Sequence, residues 1–235
     1  MSLAADARVL LSLLRGQPAG GDHARNLAAF YGPQAAYYDR FRERLLHGRA
    51  ELYAQLALPA GARLAELGAG TGRNLEFLGE RVQGLERAWL VDLCPPLLEV
   101  ARRRWGAAPN VEVVQGDACT WRPPDLQTAP LDAVVFSYSL TMIPDWSAAI
   151  DNALALLKPG GRLAVVDFTL APGQGAIARA FWRHWFRHDG VRLDARHPER
   201  LAQRLPEHTL SYHRAPVPYL PGLRTVHYRF VGRAP

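Results

Sequence analysis

Arg63-Leu-Ala-Glu-Leu-Gly-Ala-Gly-Thr-Gly-Arg-Asn74 is the stretch whose reading decides the fold. Residues 64–67 form an apolar run of the length of a buried strand. The run ends in glycines at 68, 70 and 72, and a helical spacing of Asn74, Leu75, Phe77 and Leu78 follows. Strand, glycine turn and helix in that order are the setting of a nucleotide-type fingerprint. Such a turn lets a ligand lie against the main chain, because glycine has no Cβ to stand in the way. The helix behind the turn offers free N–H groups to a carboxylate or phosphate.

The dinucleotide version, G-x-G-x-x-G, needs its third glycine at position 73, and Arg73 stands there. The pattern is instead Glu66-x-Gly68-x-Gly70-x-Gly72. A carboxylate two residues before the first glycine suits a ligand carrying an ammonium and a sulfonium, and it repels a pyrophosphate. The stretch resembles motif I of the class I S-adenosylmethionine (SAM) methyltransferases. That resemblance implies SAM as cofactor, with contacts at Glu66, Gly68, Ala69, Gly70, Thr71 and Asn74.

From residue 63 to 168 strands and helices alternate, which predicts a parallel sheet with right-handed crossovers. A second strand, 88–92, ends in Asp92, about 20 residues past the glycines, the spacing at which a carboxylate meets ribose hydroxyls. Asp92 and the adjoining Leu93 are therefore candidate cofactor contacts. Pro95 and Pro96 suit the first turn of the next helix. A third strand, 111–116, leads into Asp117-Ala118, where the family places an acid on the adenine amino group and a backbone N–H on the ring. A fourth, 131–136, delivers Ser137 and Tyr138 at its carboxyl end, where open α/β sheets bind ligands. Asp145-Trp146 begins a helix, and Lys158-Pro-Gly-Gly161 stops it before a fifth strand, 162–168. The tail reads as two more strands, 208–217 and 223–232, around a Pro-rich turn.

The expected architecture is α/β: a Rossmann-like class I methyltransferase fold, with a mostly parallel seven-stranded sheet, helices on both faces and a closing antiparallel strand. One domain is expected. Residues 1–58 form an N-terminal helical cap, and residues 59–235 form the SAM-binding core with a helical insertion at about 170–206. The cap includes a short amphipathic helix over 3–15, Asp22 as the cap of the next helix, and the cluster Phe30-Tyr31 and Tyr37-Tyr38-Asp39. In methyltransferases of this class a Y-D segment before motif I folds over the SAM site, which makes Tyr38 a cofactor contact and, with Tyr138, an orienting residue for the acceptor. Packing of a cap helix is the other reading of Tyr31 and Tyr37. In the insertion, Phe181, Trp182, Trp185 and Phe186 form one aromatic stripe if helical, with Arg183, His184, Arg187 and His188 beside it. Core packing is the expected fate of most of these rings; a membrane-facing helix is the functional alternative.

The chain has 235 residues, 49% of them hydrophobic and 21% charged, as expected of a globular domain. Its net charge of +6 admits an anionic membrane, an acidic substrate or a nucleic acid as partner. The basic residues are almost all arginine and are scattered, Lys158 being the only lysine, and no RNA-binding module is present. No nucleic acid is therefore expected. Cys94 and Cys119 form no C-x-x-C, so neither a disulfide framework nor a metal site is implied. Residues 9–14 are too short to span a membrane. A cytoplasmic protein is expected, with a peripheral place at the inner membrane face left open.

Several stretches outside the general motifs narrow the resemblance: Tyr38 to Gly48, Glu66 to Phe77, Ser137 to Asp151, Phe186 to Gly190 and Ala215 to Arg224. Together they resemble the N-methyltransferases of bacterial betaine-lipid synthesis, which methylate diacylglyceryl homoserine to its trimethyl form. This implies an amine-bearing small molecule or lipid headgroup as acceptor. Another small-molecule methyltransferase, acting on a quinone or a secondary metabolite, would show the same SAM motifs. An RNA methyltransferase and a silent SAM-binding protein are the more distant alternatives.

Overall fold

The computed structural model describes residues 22–32, 39, 43–170, 173–188, 190–218 and 222–235. The readings made for residues 3–15, Tyr37 and Tyr38 fall outside them. Among the described residues one sheet holds seven strands: β1 (Arg63–Leu67), β2 (Arg87–Asp92), β3 (Val111–Gln115), β4 (Leu131–Ser137), β5 (Leu157–Phe168), β6 (His208–Pro216) and β7 (Arg224–Arg233). Their order is β3-β2-β1-β4-β5-β7-β6. β7 pairs antiparallel with both neighbours, while the other pairings are parallel. Strand order therefore reverses between β1 and β4, and an open sheet forms its ligand crevice beyond the carboxyl ends at that point.

The central strands are apolar on both sides because both sides are covered. Leu64, Ala88, Leu90, Ala133 and Val135 pack on one face against Leu52, Tyr53 and Leu56 and against Leu75, Leu78 and Val82. Leu52 and Tyr53 belong to α2 (Arg49–Gln55), which follows α1 (His23–Tyr31). Ala65, Leu67, Val91, Val134 and Phe136 pack on the opposite face, against α4 (Trp146–Leu156) and α6 (Arg196–Arg204). α3 (Pro95–Trp105) opens on its two prolines. Asp22 caps α1 through the N–H of Ala24, and Asp145 caps α4 through that of Ala148.

The structure departs from expectation in three places. The segment after the glycine turn, Arg73–Gly84, is a 3-10 helix with a kink at Gly79. Gly79 has φ 57°, an angle no right-handed helix can continue through. β5 begins at Leu157, because the Lys158 to Gly161 turn is drawn into the sheet where Leu157 pairs with Leu131. The aromatic stripe on α5 (Ala176–His188) is split. Trp182 and Phe186 are buried with Leu46, Phe168 and Leu170, whereas Phe181 and Trp185 stay 43% and 42% exposed. Residues 181 and 185 lie one position, about a quarter turn, from 182 and 186, so one contact face cannot take all four.

Candidate functional site

A cleft of about 380 Å³ opens beyond the carboxyl ends of β1, β2 and β4. The motif residues converge on it: Gly68, Ala69, Gly70, Thr71, Asn74, Asp92, Leu93, Asp117, Ala118, Ser137 and Tyr138 all line it. The loop after β1 is pinned from the neighbouring strand, since the N–H groups of Gly68 and Ala69 both donate to Val91 O. Gly68 touches the turn after β4 so closely that a Cβ there would stand 2.4 Å from Ser139 Cβ. The crevice is thus bounded by two turns in direct contact across the reversal of strand order.

Asp92 accepts from two backbone N–H groups, that of Gly70 on Oδ2 and that of Cys94 on Oδ1, each at 2.8 Å. Burial raises its pKa and these bonds hold it down. It therefore braces the glycine turn and the start of α3 as well as facing the cleft. Asp117 Oδ1 accepts from Cys119 N. The loop carrying Asp117 and Ala118 is held from beneath by Asn152, whose amide donates to Ala118 O and Trp121 O. The Cys94 and Cys119 thiols are pushed up to about 12, first by burial, so neither is a thiolate nucleophile near neutrality.

Glu66 is fully buried and is absent from the cleft wall. Its Oε1 accepts from Asn74 Nδ2 at 2.5 Å, and Asn74 Oδ1 in turn accepts from Arg49. Glu66 thus reaches the cleft through Asn74 and not by its own surface. Burial pushes its pKa up to about 7, while Asn74, Tyr53 and Arg49 pull it down. Glu66 Oε2 and Ser137 Oγ are buried without a hydrogen-bond partner. Ser137 lines the cleft and its hydroxyl fits a polar group of a ligand there, whereas Glu66 Oε2 is sealed from the cleft on the side of the Tyr53 hydroxyl.

Thr71 Oγ1 donates to Asp39, which also pairs with Arg104. Asp39 lines the cleft and links the segment before motif I to α3. The Tyr138 hydroxyl does not reach freely into the cleft. It donates to His47 O at 2.6 Å, and burial raises its pKa well above the usual range. Its backbone sits at φ 55°, unusual for a residue other than glycine. Its ring packs on Phe168 at 4.6 Å.

Arg49, Asn152 and Ser139 are site residues that the sequence did not reveal. Each bonds to a partner 25 or more residues away, and no local pattern marks such a partnership. Asp39 carried a signal, the Y-D segment. Among the described residues no group of histidine, cysteine, aspartate and glutamate is arranged to hold a metal.

Residues 64–161 match the family described as "Methyltransferase domain". The chain is 31% identical over 179 residues to a 2-phytyl-1,4-naphtoquinone methyltransferase of Thermosynechococcus vestitus, covering 73% of this chain and 76% of that protein. It is 32% identical to a demethylmenaquinone methyltransferase of Clavibacter sepedonicus over 62% of this chain, and it spans 59% of that relative. In structure it resembles a Haemonchus contortus phosphoethanolamine N-methyltransferase 2 solved with phosphomonomethylethanolamine and S-adenosylhomocysteine. The TM-score is 0.68 at 14% identity, covering 93% of this chain and 61% of that one. The chain belongs to the class I SAM-dependent methyltransferases. It is an enzyme of that class, and its cofactor is S-adenosylmethionine.

Proposed function

We propose that the enzyme methylates the amine of a homoserine-type lipid headgroup. The observation that carries this is a convergence. Four stretches that give the betaine-lipid resemblance, far apart in sequence, meet in one apolar cluster: Leu45 and Leu46, Tyr138 and Met142, Phe186, and Val217 with Leu223. Leu46, Tyr138 and Met142 of that cluster also line the cleft. A subfamily signature gathered at one mouth of the cofactor cleft fits a shared acceptor. The described lining also holds five carboxylates (Asp22, Asp39, Asp92, Asp117 and Asp145) against two guanidiniums, Arg49 and Arg73. That balance favours cationic ligands.

The bound cofactor supplies an electrophilic methyl group on a sulfonium. In this reading Gly68, Ala69, Gly70, Thr71 and Asn74 hold its amino-acid end, with Glu66 acting through Asn74. Asp92 and Leu93 hold the ribose; Asp117 and Ala118 hold the base. Ser137, Tyr138 and Tyr38 orient the acceptor nitrogen, and Tyr138 does so as a wall fixed by His47. Alignment is the main contribution asked of the protein, since positioning alone can supply most of the barrier reduction for a two-reactant transfer. The acceptor proton leaves to solvent.

C-methylation of a quinone is the second reading, favoured by the naphthoquinone and menaquinone methyltransferases among the relatives. One experiment separates the two. Cells supplied with the homoserine-lipid precursor, with and without this protein, are compared by mass spectrometry of their lipids and quinones. The proposal expects mono- to trimethylated homoserine lipid only where the protein is present. Methylated quinone with unchanged homoserine lipid refutes it in favour of the second reading.

A further inference from the structure

We propose that the outer faces of α5 dock this protein on an anionic membrane surface, deepening the lipid-acceptor reading on which its purpose rests. Ile177, Phe181 and Trp185 would enter the interface, and Arg179, Arg183 and Arg187 would meet lipid phosphates. The helix has thirteen residues, AIARAFWRHWFRH, and no acid. Positions four apart share a helix face, so the sequence lays down three stripes, with the buried one flanked by the other two. Trp182 and Phe186 turn inward and are buried. Ile177, Phe181 and Trp185 form the second stripe, and Arg179, Arg183 and Arg187, all exposed, form the third.

The apolar stripe is a patch and not scatter. Four large apolar side chains stand exposed among the described residues, and three of them are on this face: Ile177 at 89%, Phe181 at 43% and Trp185 at 42%. The Phe181 and Trp185 rings lie 5.9 Å apart, a continuous aromatic surface. Contiguous exposed apolar surface of this kind marks an interaction site. The arginine row, on the other flank of the buried stripe, has no ion-pairing carboxylate among the described residues. An outward surface edged by apolar side chains on one flank and by unneutralised cations on the other matches a helix lying in a bilayer interface, with long arginines reaching the headgroups.

Charge selects this occupant over a second copy of the chain. A two-fold contact here would bring a second α5, again with exposed arginines and no acid, onto a protein of net charge +6. An anionic bilayer neutralises them. The placement also serves the chemistry: Phe186 packs on Phe168 at 4.6 Å, and Phe168 packs at 4.6 Å on Tyr138 of the cleft wall. The docking helix is two rings away from the site where an amine headgroup must arrive while its acyl chains stay in the bilayer.

Sedimentation of the full chain with phosphatidylcholine vesicles, with and without phosphatidylglycerol, tests this. Wild type is expected to pellet with the anionic vesicles. Arg183→Gln with Arg187→Gln should weaken partition about 30-fold, from the usual contribution of each basic residue near an anionic surface. Phe181→Ser with Trp185→Ser should weaken it at least tenfold. Unchanged far-ultraviolet dichroism and SAM affinity certify both variants as folded. Wild type that stays in the supernatant, or variants that bind like wild type, overturn the docking proposal. So does ultracentrifugation showing that this face instead holds a dimer that Phe181→Ser dissociates. Glyceryl homoserine without acyl chains tests the acceptor separately, and the docking variants should methylate it at the wild-type rate. Vesicle binding without methylation of that analogue leaves docking standing and removes the lipid-acceptor reading alone.

Discussion

Asn74 Nδ2 donates to Glu66 Oε1 at 2.5 Å, while Glu66 Oε2 is buried without a partner. Burial lifts this carboxyl from 4.5 to about 7. A folded pKa above the unfolded one means that the unfolded chain sheds its proton first. Stability therefore falls as pH rises from 4.5 to 7, by about 3 kcal/mol in total. Glu66→Gln has no proton to lose. The ligand-free variant should be more stable than wild type above pH 7, with the advantage closing toward pH 4.5. Denaturant titrations at pH 5 and pH 8 measure the two gaps, and equal gaps would show that Glu66 does not titrate in this window.

The same linkage reaches the cofactor. A cation bound over Asn74 favours the Glu66 carboxylate, so binding near pH 6.5 should release part of a proton. Calorimetry in two buffers of different ionisation enthalpy counts that release. A count of zero, with tight binding, would detach Glu66 from the cofactor's charge.

Asp92 spends both oxygens on backbone donors, Gly70 N and Cys94 N. Asp92→Ala should weaken SAM binding by about 1.5–3 kcal/mol, the range for a hydrogen bond to a charged group. The glycine turn should loosen as well, because its brace is gone. Asp92→Asn keeps one acceptor oxygen and should fall between wild type and alanine. Unchanged affinity by calorimetry in the alanine variant would remove Asp92 from the site.

Two glycines of motif I have separable tasks. A Cβ on Gly70 would meet only Leu97 Cδ1 at 3.8 Å, whereas one on Gly68 would collide with Ser139. Gly70→Val should fold, with roughly 1–2 kcal/mol or more of backbone strain at its φ of 56°, and should lose cofactor binding. Gly68→Ala should fail by destabilisation, and Ser139→Gly in the same chain should recover part of the loss. Thermal melts and SAM titrations of the three variants distinguish the roles. Wild-type SAM affinity in Gly70→Val would make that glycine a turn residue only.

The sheet was legible because its signals are local. Apolar runs ending in Gly68, Asp92, Gln115 and Ser137 name the strands and the end at which their loops converge. Motif residues are legible for the same reason: each stands at a strand end that topology brings to one crevice. What the sequence hides is how side chains are spent. Thr71 reads as a ligand contact and donates to Asp39; Tyr138 reads as a channel hydroxyl and donates to His47 O. Glu66 reads as a direct cofactor contact and is sealed beneath Asn74. The stripe on α5 divides because periodicity identifies the face of a helix but not the width of the groove receiving it.

That groove yields the last prediction. Phe186 joins α5 to the cleft through Phe168 and Tyr138, ring against ring. Phe186→Leu is a modest large-to-small change in a packed core and should cost on the order of 1–2 kcal/mol, less than truncating the ring to alanine. The fold should therefore survive. The edge of Phe168 would then face a smaller, more mobile side chain, and the wall formed by Tyr138 would lose its backing. Neither Phe168 nor Phe186 lines the cleft, so SAM affinity should stay at the wild-type value. The acceptor meets the Tyr138 wall, so its KM should rise several-fold while the enzyme remains saturable with SAM. Steady-state kinetics with glyceryl homoserine, alongside SAM calorimetry, reads the two independently. If both constants stay at wild-type values, the aromatic stack holds α5 in place and has no part in shaping the acceptor end of the cleft.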